Sequence, residues 1–182
     1  MKTPLRLAVL TIVIAVVASA CTNLWPAPVT GPLQNGRFPD GALTLVTAEC
    51  RVVNAAAPQL RALIAAANAD GVGLTPEQSS FLPPGVPGPP QIESCYRSYD
   101  GQVWWRNYYC SIGKCQNAAV PGTSKHGLGR AVDFQDQDGE LTFTSSGYAW
   151  LVAHAGAFGF FQPANQRQGA PGEEAWHWEA QT

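Results

Sequence analysis

Three short segments of this sequence contain the side chains whose types and spacing could do chemistry together. They are Tyr-Arg-Ser-Tyr at 96–99, the stretch from Ser124 to Asp133, and Glu-Ala-Trp-His at 174–177. Their polar members include two imidazoles, carboxylates and a guanidinium. Such a set suits amide hydrolysis, because imidazoles and one carboxylate can hold a metal ion that activates water while a second carboxylate accepts a proton.

The candidate metal ligands are His126, Asp133 and His177. A hydrolytic zinc site takes three protein ligands and leaves a fourth position for water, whose pKa falls from ~15.7 to about 7. Glycines between His126 and Asp133 disfavour a continuous helix, so we expect the histidine on a loop and Asp133 on a strand. The ligand types favour zinc, although other divalent ions accept the same ligands.

Glu174 lies three residues before His177, and a bend between them would hold its carboxylate over the reacting water. We assign Glu174 as the general base, a role that contributes ~10²–10⁴-fold. We expect the adjacent Glu173 to be a solvated charge. Arg97 precedes a predicted helix and is expected to bind a substrate carboxylate or to stabilise the oxyanion that forms when water adds to a carbonyl.

Other polar residues receive structural interpretations. Glu179 is either a hydrogen-bonding partner of a ligating imidazole or an exposed charge. His154 is predicted to lie mid-helix with no carboxylate nearby in sequence, so we place it outside the site. Asp136 and Asp138 do not form a calcium loop, because a phenylalanine stands where an oxygen ligand belongs, and we expect a solvated hairpin turn there.

Length and charge limit the classes of function. The chain has 182 residues, a formal net charge of −2 and 13% charged residues. This length supports one core, and the charge provides no basic field for nucleic acid. Helices and strands interleave without a regular βαβ repeat, so we predict a single α+β domain and expect a monomer.

The N-terminus has the pattern of a secretory signal. Two basic residues precede an apolar run over 7–18, and small residues then precede Cys21. We predict a signal peptide at 1–20 and export to the cell envelope. The run is shorter than the ~20 residues of a membrane span, although an uncleaved signal would still anchor the chain. Lipid attachment at Cys21 and ordinary cleavage after an Ala-x-Ala triplet both explain these residues.

Cysteine parity favours a lipid on Cys21 as the protein's contact with a membrane. Removing Cys21 from the five cysteines leaves an even set, consisting of Cys50, Cys95, Cys110 and Cys115. An oxidising compartment would convert this set into two disulfides. Proximity favours Cys110 with Cys115, which leaves Cys50 with Cys95. No Cys-x-x-Cys spacing occurs, which argues against a thiolate metal site.

Two stretches rich in proline and glycine are predicted to lack regular structure. Residues 21–45 are expected to form a flexible tether to a domain at 46–182. The prolines at 82–90 exclude a helix or paired strand and predict a surface loop.

Apolar spacing predicts three helices and a strand. The first helix spans 56–70, with Leu60, Leu63, Ile64 and Ala67 on one face. The second spans 100–109, where aromatic residues four apart form core and groove wall. The third spans 148–158 behind a cap at Ser145 or Ser146, with Tyr148, Leu151, Val152 and Ala155 buried. Alternation over 131–134 predicts a strand that turns Asp133 away from the core.

The three segments resemble the motifs of the zinc D-alanyl-D-alanine carboxypeptidases and dipeptidases of the peptidase M15 type, the VanY-like enzymes. The motif Ser-x-His-x-x-Gly-x-Ala-x-Asp appears as Ser124, His126, Gly129, Ala131 and Asp133. The motif Glu-x-Trp-His appears as Glu174, Trp176 and His177, and Tyr-Arg-Ser-Tyr-x-x-Gln appears as Tyr96, Arg97, Ser98, Tyr99 and Gln102. The resemblance extends over about residues 50–179.

The resemblance implies a compact α+β fold of the Hedgehog/D,D-peptidase type with Zn²⁺ held by His126, Asp133 and His177. It implies Glu174 as base and Arg97 on the substrate carbonyl or carboxylate. Substrate contacts are expected from Gln102, Ser124, Tyr99 and Trp176. The implied substrate is a peptidoglycan stem peptide ending in D-Ala-D-Ala, which lies outside the membrane.

One departure from the family pattern bears on specificity. Cys95 stands before Tyr96, where the family usually has glycine, and a disulfide there is expected to hold the strand that carries Arg97. Two alternatives stay open: an endopeptidase of the same fold, and a non-catalytic, zinc-containing cell-wall binding module. Glu174 favours an enzyme, because a binding module needs no base at that spacing.

Overall fold

The helices and strands lie within residues 32–76 and 94–181, the part of the chain that the computed structural model describes. In these ranges the helices are α1 (Ala57–Ala69), α2 (Tyr99–Ser111) and α3 (Ser146–His154). The strands are β1 (Leu43–Thr47), β2 (Cys50–Val53), β3 (Thr75–Pro76), β4 (Ala131–Asp136), β5 (Gly139–Glu140), β6 (Phe160–Phe161) and β7 (His177–Ala180). The predicted signal peptide and the proline-rich loop at 82–90 lie outside the described residues.

The strands form two antiparallel sheets. Strands β1 and β2 pair with each other, and the larger sheet has the order β3-β4-β7-β6 with β5 paired to β4. Together with the helices this is the predicted α+β class. None of the helices in the described ranges combines the length and hydrophobicity that a membrane span requires.

Strand β4 separates the core from the polar face of the larger sheet. Val132 and Phe134 are fully buried in the hydrophobic core, which also receives Leu60 and Leu63 from α1. Asp133 lies between them in sequence and so projects from the opposite face, as the alternation predicts. Packing of the two apolar residues of β4 against α1 therefore turns the Asp133 carboxylate away from the core.

Helix α2 begins directly after Arg97. The Ser98 hydroxyl accepts a hydrogen bond from the Gly101 amide at 3.0 Å, which caps the first turn. The predicted aromatic pairs four residues apart are stacked along this helix. Arg97 itself lies in irregular backbone, so the expectation that a strand carries it is wrong.

Helix α3 is shorter than predicted, and of its predicted core residues Leu151 and Ala155 are fully buried. It ends at His154, and a 3-10 turn continues over Ala155–Phe158. Val152, predicted to be buried, is 60% exposed, while Trp150 is buried and donates its indole N–H to Asp70 at 2.8 Å. His154 is exposed at the end of the helix, outside the site.

The predicted hairpin turn joins β4 to β5 and leaves Asp138 exposed, but Asp136 is buried and caps α3. Its Oδ2 atom accepts a hydrogen bond from the Gly147 amide at 3.0 Å, and its Oδ1 atom accepts one from the Asp138 amide at 3.0 Å. The N-cap Ser145 makes no side-chain cap bond. A carboxylate near a helix N-terminus is stabilised by the unpaired amides there, so burial of Asp136 is compensated.

The segment from residue 32 to 45, predicted as part of the tether, belongs to the fold. The Gly36 amide donates to the Gly127 carbonyl at 2.8 Å, and the Phe38 amide donates to the Tyr96 hydroxyl at 2.8 Å. Strand β1 also starts inside this segment. The tether prediction used composition alone, and composition does not reveal contacts with residues so far along the chain.

Two disulfides join the four cysteines that the parity argument selected. Cys50 is bonded to Cys95, and Cys110 is bonded to Cys115. This is the pairing that proximity favoured. The first bond connects β2 to the bend before Arg97, and the second connects the end of α2 to the segment that follows it.

Candidate active site

Three candidate metal ligands from distant parts of the chain converge. His126 lies in a short 3-10 turn, Asp133 in β4 and His177 in β7. His177 Nδ1 is 3.0 Å from Asp133 Oδ1, and His126 Nε2 is 3.3 Å from Asp133 Oδ2. The three residues each offer one ligand atom, and these atoms lie within 4.8 Å of one another. The sequence prediction that they meet in space is therefore fulfilled.

The surroundings of the cluster fit a divalent metal. All three side chains are buried, and His126 Nδ1 is 2.8 Å from the Cys95 carbonyl. A carbonyl only accepts, so His126 carries its proton on Nδ1 and turns the Nε2 lone pair toward Asp133 and His177. On the other side, His177 Nε2 is 3.5 Å from Glu179 Oε1. Two imidazoles and one carboxylate are a donor set that zinc accepts.

Without a metal, the cluster holds a proton on His177. Burial alone would lower the pKa of this ring, but hydrogen bonds to Asp133 and Glu179 outweigh it and raise the pKa to about 9. Burial lowers the pKa of His126 despite the neighbouring charge of Asp133. Burial also opposes ionisation of Asp133, yet its contacts with the two histidines hold the pKa of this carboxyl well below its usual range. A metal ion would replace the proton on His177.

The Glu174 carboxylate lies beside the cluster, where a base is needed. Its Oε2 atom is 3.9 Å from His177 Nδ1 and accepts a hydrogen bond from Gln166 Nε2 at 3.1 Å. Gln162 Nε2 donates to the Glu174 carbonyl at 3.0 Å, which holds the backbone of the bend. Burial and the nearby charge of Asp133 raise the pKa of Glu174. A raised pKa brings a carboxylate closer to neutral pH, where proton exchange is most effective.

Arg97 presents its guanidinium to the same cluster. The Nη2 atom is 3.9 Å from Asp133 Oδ2, and the guanidinium carbon is 5.7 Å from the centroid of the Trp105 ring. The Arg97 amide donates to the His126 carbonyl at 3.2 Å, so the backbone holding the guanidinium is tied to the turn holding the first imidazole.

These groups open into one cavity of about 700 Å³. Its wall includes the three candidate ligands together with predicted site residues, namely Arg97, Ser124, Glu174 and Trp176. Trp105 and Tyr109 of α2 also line it. The volume is in the range of small-molecule sites.

Gln102 and Tyr99, predicted as substrate contacts, do not line this cavity. Gln102 is buried, and its Nε2 donates to Asn35 Oδ1 at 3.0 Å and to the Arg97 carbonyl at 3.2 Å. Its Oε1 accepts from the Gly122 amide at 2.8 Å. The structure thus uses Gln102 to hold the Arg97 backbone. The Tyr99 ring instead lies 4.1 Å from the Arg37 guanidinium.

Several residues at the site were not found by sequence reasoning. Glu140 lines the cavity, and burial followed by the charge of Asp133 raises its pKa. The hairpin signal before it could have placed Glu140 beside β4. Asn35 Nδ2 donates to the Ser124 carbonyl at 2.7 Å, a contact with no local sequence signal. Glu173, interpreted above as a solvated charge, is exposed on the cavity wall and accepts a hydrogen bond from the Gly169 amide at 2.6 Å.

Comparison with solved structures finds the same fold in proteins of the VanY and LdcB types. VanYB in complex with D-alanine-D-alanine is 24% identical, with a TM-score of 0.56 over 86% of this chain and 82% of that chain. The LdcB LD-carboxypeptidase is 23% identical, with a TM-score of 0.58 over 81% and 74%. A mutant of the vancomycin resistance D,D-pentapeptidase VanY in complex with Zn(II) is 25% identical, with a TM-score of 0.56 over 83% and 87%.

Comparison with family models gives a match across the site. No curated protein matches the sequence. The model described as VanY, D-alanyl-D-alanine carboxypeptidase, matches residues 88–180, a range that contains Arg97, the three candidate ligands and Glu174. The chain therefore belongs to the VanY family of D-alanyl-D-alanine carboxypeptidases.

Proposed function

We propose that the protein is a zinc-dependent D,D-carboxypeptidase that removes the terminal D-alanine from peptidoglycan stem peptides. The observation that carries this proposal is the buried cluster of His126, Asp133 and His177 with the Glu174 carboxylate 3.9 Å from one of its nitrogens. Among proteins of the same fold, a VanY mutant binds Zn(II) and VanYB binds D-alanine-D-alanine.

Zinc, when bound to these residues, supplies an acidified water and polarises the carbonyl that is attacked. Glu174 takes a proton from the attacking water and later delivers it to the leaving amine. Burial raises the pKa of Glu174 toward neutral pH, which favours both transfers. The Gln166 amide holds the carboxylate in place during this exchange.

Arg97 recognises the negative charge of the substrate. A guanidinium in a cavity binds a terminal carboxylate through paired N–H donors, or the oxyanion that grows on the reacting carbonyl. The Trp105 ring beside it limits access of water to the guanidinium and so strengthens either contact. A peptide with a free C-terminal carboxylate is therefore the favoured substrate.

The site of action is proposed to be the cell envelope. The predicted signal peptide at 1–20 would export the chain, and a lipid at Cys21 would hold it at the membrane as a monomer. The two disulfides suit an oxidising compartment. Peptidoglycan, the proposed substrate, also lies in the cell envelope.

Incubation of the purified protein with defined muropeptides, with and without a chelator, tests the function. We expect mass spectrometry to show loss of one alanine from a pentapeptide and no loss after chelation. Cleavage within cross-links would indicate an endopeptidase instead. Loss of alanine from tetrapeptides only would indicate an L,D-carboxypeptidase, and binding without cleavage would indicate a cell-wall binding module.

A further inference from the structure

Four aromatic side chains of α2 form a continuous surface, which we call the aromatic cluster: Trp104, Trp105, Tyr108 and Tyr109. The rings of Trp104 and Tyr108 are stacked at 5.5 Å and 9°, and those of Trp105 and Tyr109 at 5.8 Å and 25°. The two pairs join where Trp104 meets Trp105 edge to face at 4.9 Å. All four residues are partly exposed.

The aromatic cluster leads out of the candidate active site. Trp105 and Tyr109 line the cavity, and Trp105 lies 5.7 Å from the Arg97 guanidinium carbon. Trp104 and Tyr108 are not part of the cavity wall and continue the surface beyond it. A ligand whose reacting end lies at Arg97 would therefore meet an aromatic surface where it leaves the cavity.

Exposed amide side chains accompany the rings. Asn107 lies on α2, and Gln116 and Asn117 lie on the cavity wall. Arg106 Nη1 donates to the carbonyls of Cys115 and Ala118 at 2.6 Å each, which holds this wall against the helix. Aromatic rings beside uncharged donors and acceptors suit a ligand that has both apolar C–H faces and hydroxyl groups.

We propose that Trp104 and Tyr108 bind a sugar of the glycan strand to which the stem peptide is attached. This inference rests on the proposed function, because the stem peptide is what connects the sugar to the site. An extended peptide spans at most ~3.3–3.6 Å per residue, so five residues reach roughly 17 Å. Tyr108 is nine residues beyond Tyr99, the first residue of α2, and at 1.5 Å per residue lies about 14 Å along the helix axis. The sugar of a bound muropeptide therefore lies within reach of the outer rings.

Direct binding is measured with the disaccharide of the glycan strand, free of peptide. Saturable quenching of tryptophan fluorescence is expected for the parent protein, with its loss in Trp104→Ala and Tyr108→Ala. Tyr108→Phe keeps the ring and should keep binding. Phe161→Ala removes a matched aromatic side chain, 36% exposed on β6, and should leave binding unchanged. Circular dichroism and thermal unfolding establish that each variant is folded.

The consequence for specificity is measured as the ratio of kcat/KM on a disaccharide pentapeptide to kcat/KM on the free pentapeptide. We expect roughly tenfold preference for the substrate with sugar, as an interface tryptophan typically contributes, and its loss in Trp104→Ala. A ratio near one in the parent protein, together with no binding of the disaccharide, would overturn the proposal that the aromatic cluster binds the sugar. Failure to hydrolyse either peptide would instead overturn the proposed function.

Discussion

Asp133 and His177 lie directly opposite each other in the antiparallel pair of β4 and β7, with Asp133 Oδ1 3.0 Å from His177 Nδ1. One strand register therefore brings two candidate ligands together. Because side chains alternate between the faces of a sheet, a shift of one residue would turn one of them away. The packing of Val132 and Phe134 in the core opposes such a shift.

Replacing Glu174 by glutamine should abolish release of D-alanine while the protein retains zinc. The amide cannot accept the proton, and the expected loss in kcat is ~10²–10⁴-fold. Zinc content by elemental analysis and alanine release from a pentapeptide are measured on the same preparation. Glu173→Gln is the matched control and should stay near parent activity, because Glu173 is exposed. Parent activity in Glu174→Gln would remove it as the base.

Zinc affinity should rise with pH between 6 and 8 by roughly tenfold per pH unit. The proton on His177, whose pKa is about 9, competes with the metal, so lowering the pH favours the proton. Burial lowers the pKa of His126, so this ring competes with the metal for protons less than His177 does. Calorimetry in two buffers of different ionisation enthalpy should show release of about one proton at pH 7. Affinity that does not vary with pH would contradict a protonated His177.

His126→Ala should lose zinc under conditions in which Glu174→Gln keeps it. Removing one of three protein ligands from a buried site weakens metal binding. It also removes the imidazole whose Nε2 atom lies 3.3 Å from Asp133 Oδ2. Dialysis against a weak chelator followed by elemental analysis distinguishes the two variants. Equal zinc content in both would mean that the metal lies elsewhere.

Arg97→Lys should lower kcat/KM by at least roughly tenfold, and Arg97→Ala by ~10²–10³-fold. Lysine keeps the charge but lacks the planar pair of donors that matches a carboxylate. Zinc content should be unchanged, because a guanidinium is not a ligand. Arg61→Lys is the control, since Arg61 lies on α1 and donates to the Leu45 carbonyl. Full activity in Arg97→Lys would argue that charge alone suffices.

Gly127→Ala should destabilise the protein through Asn35. A Cβ atom at Gly127 would overlap Asn35 Oδ1 and, less closely, Gln102 Nε2, and overpacking of this kind costs ~1–3 kcal/mol of unfolding free energy. Adding Asn35→Ala removes the closer of these two atoms and should recover part of the loss. Gly156→Ala meets no heavy atom within 4 Å and is the control. Denaturant unfolding measures these three variants and Asn35→Ala alone, and strictly additive effects of the two single changes would contradict the contact.

Residue spacing along the chain predicted the features that depend on neighbouring residues in the sequence. The spacing of Leu60 and Leu63 places the core face of α1, and the alternation around Asp133 orients that carboxylate. The spacing predicts both Leu151 and Val152 to be buried, but only Leu151 is, because α3 packs through Trp150 beside it. The bond from Asn35 to the Ser124 carbonyl joins residues 89 positions apart, and no periodicity reports such a contact.

Cys95 forms a disulfide through its side chain and contacts a candidate metal ligand through its backbone. Its sulfur is bonded to Cys50, and its carbonyl lies 2.8 Å from His126 Nδ1, where it selects the tautomer of that ring. A chain whose thiols are still reduced lacks the covalent tie that fixes this carbonyl. We therefore expect reduction of this disulfide to loosen the carbonyl that orients His126 and so to weaken binding of a metal ion.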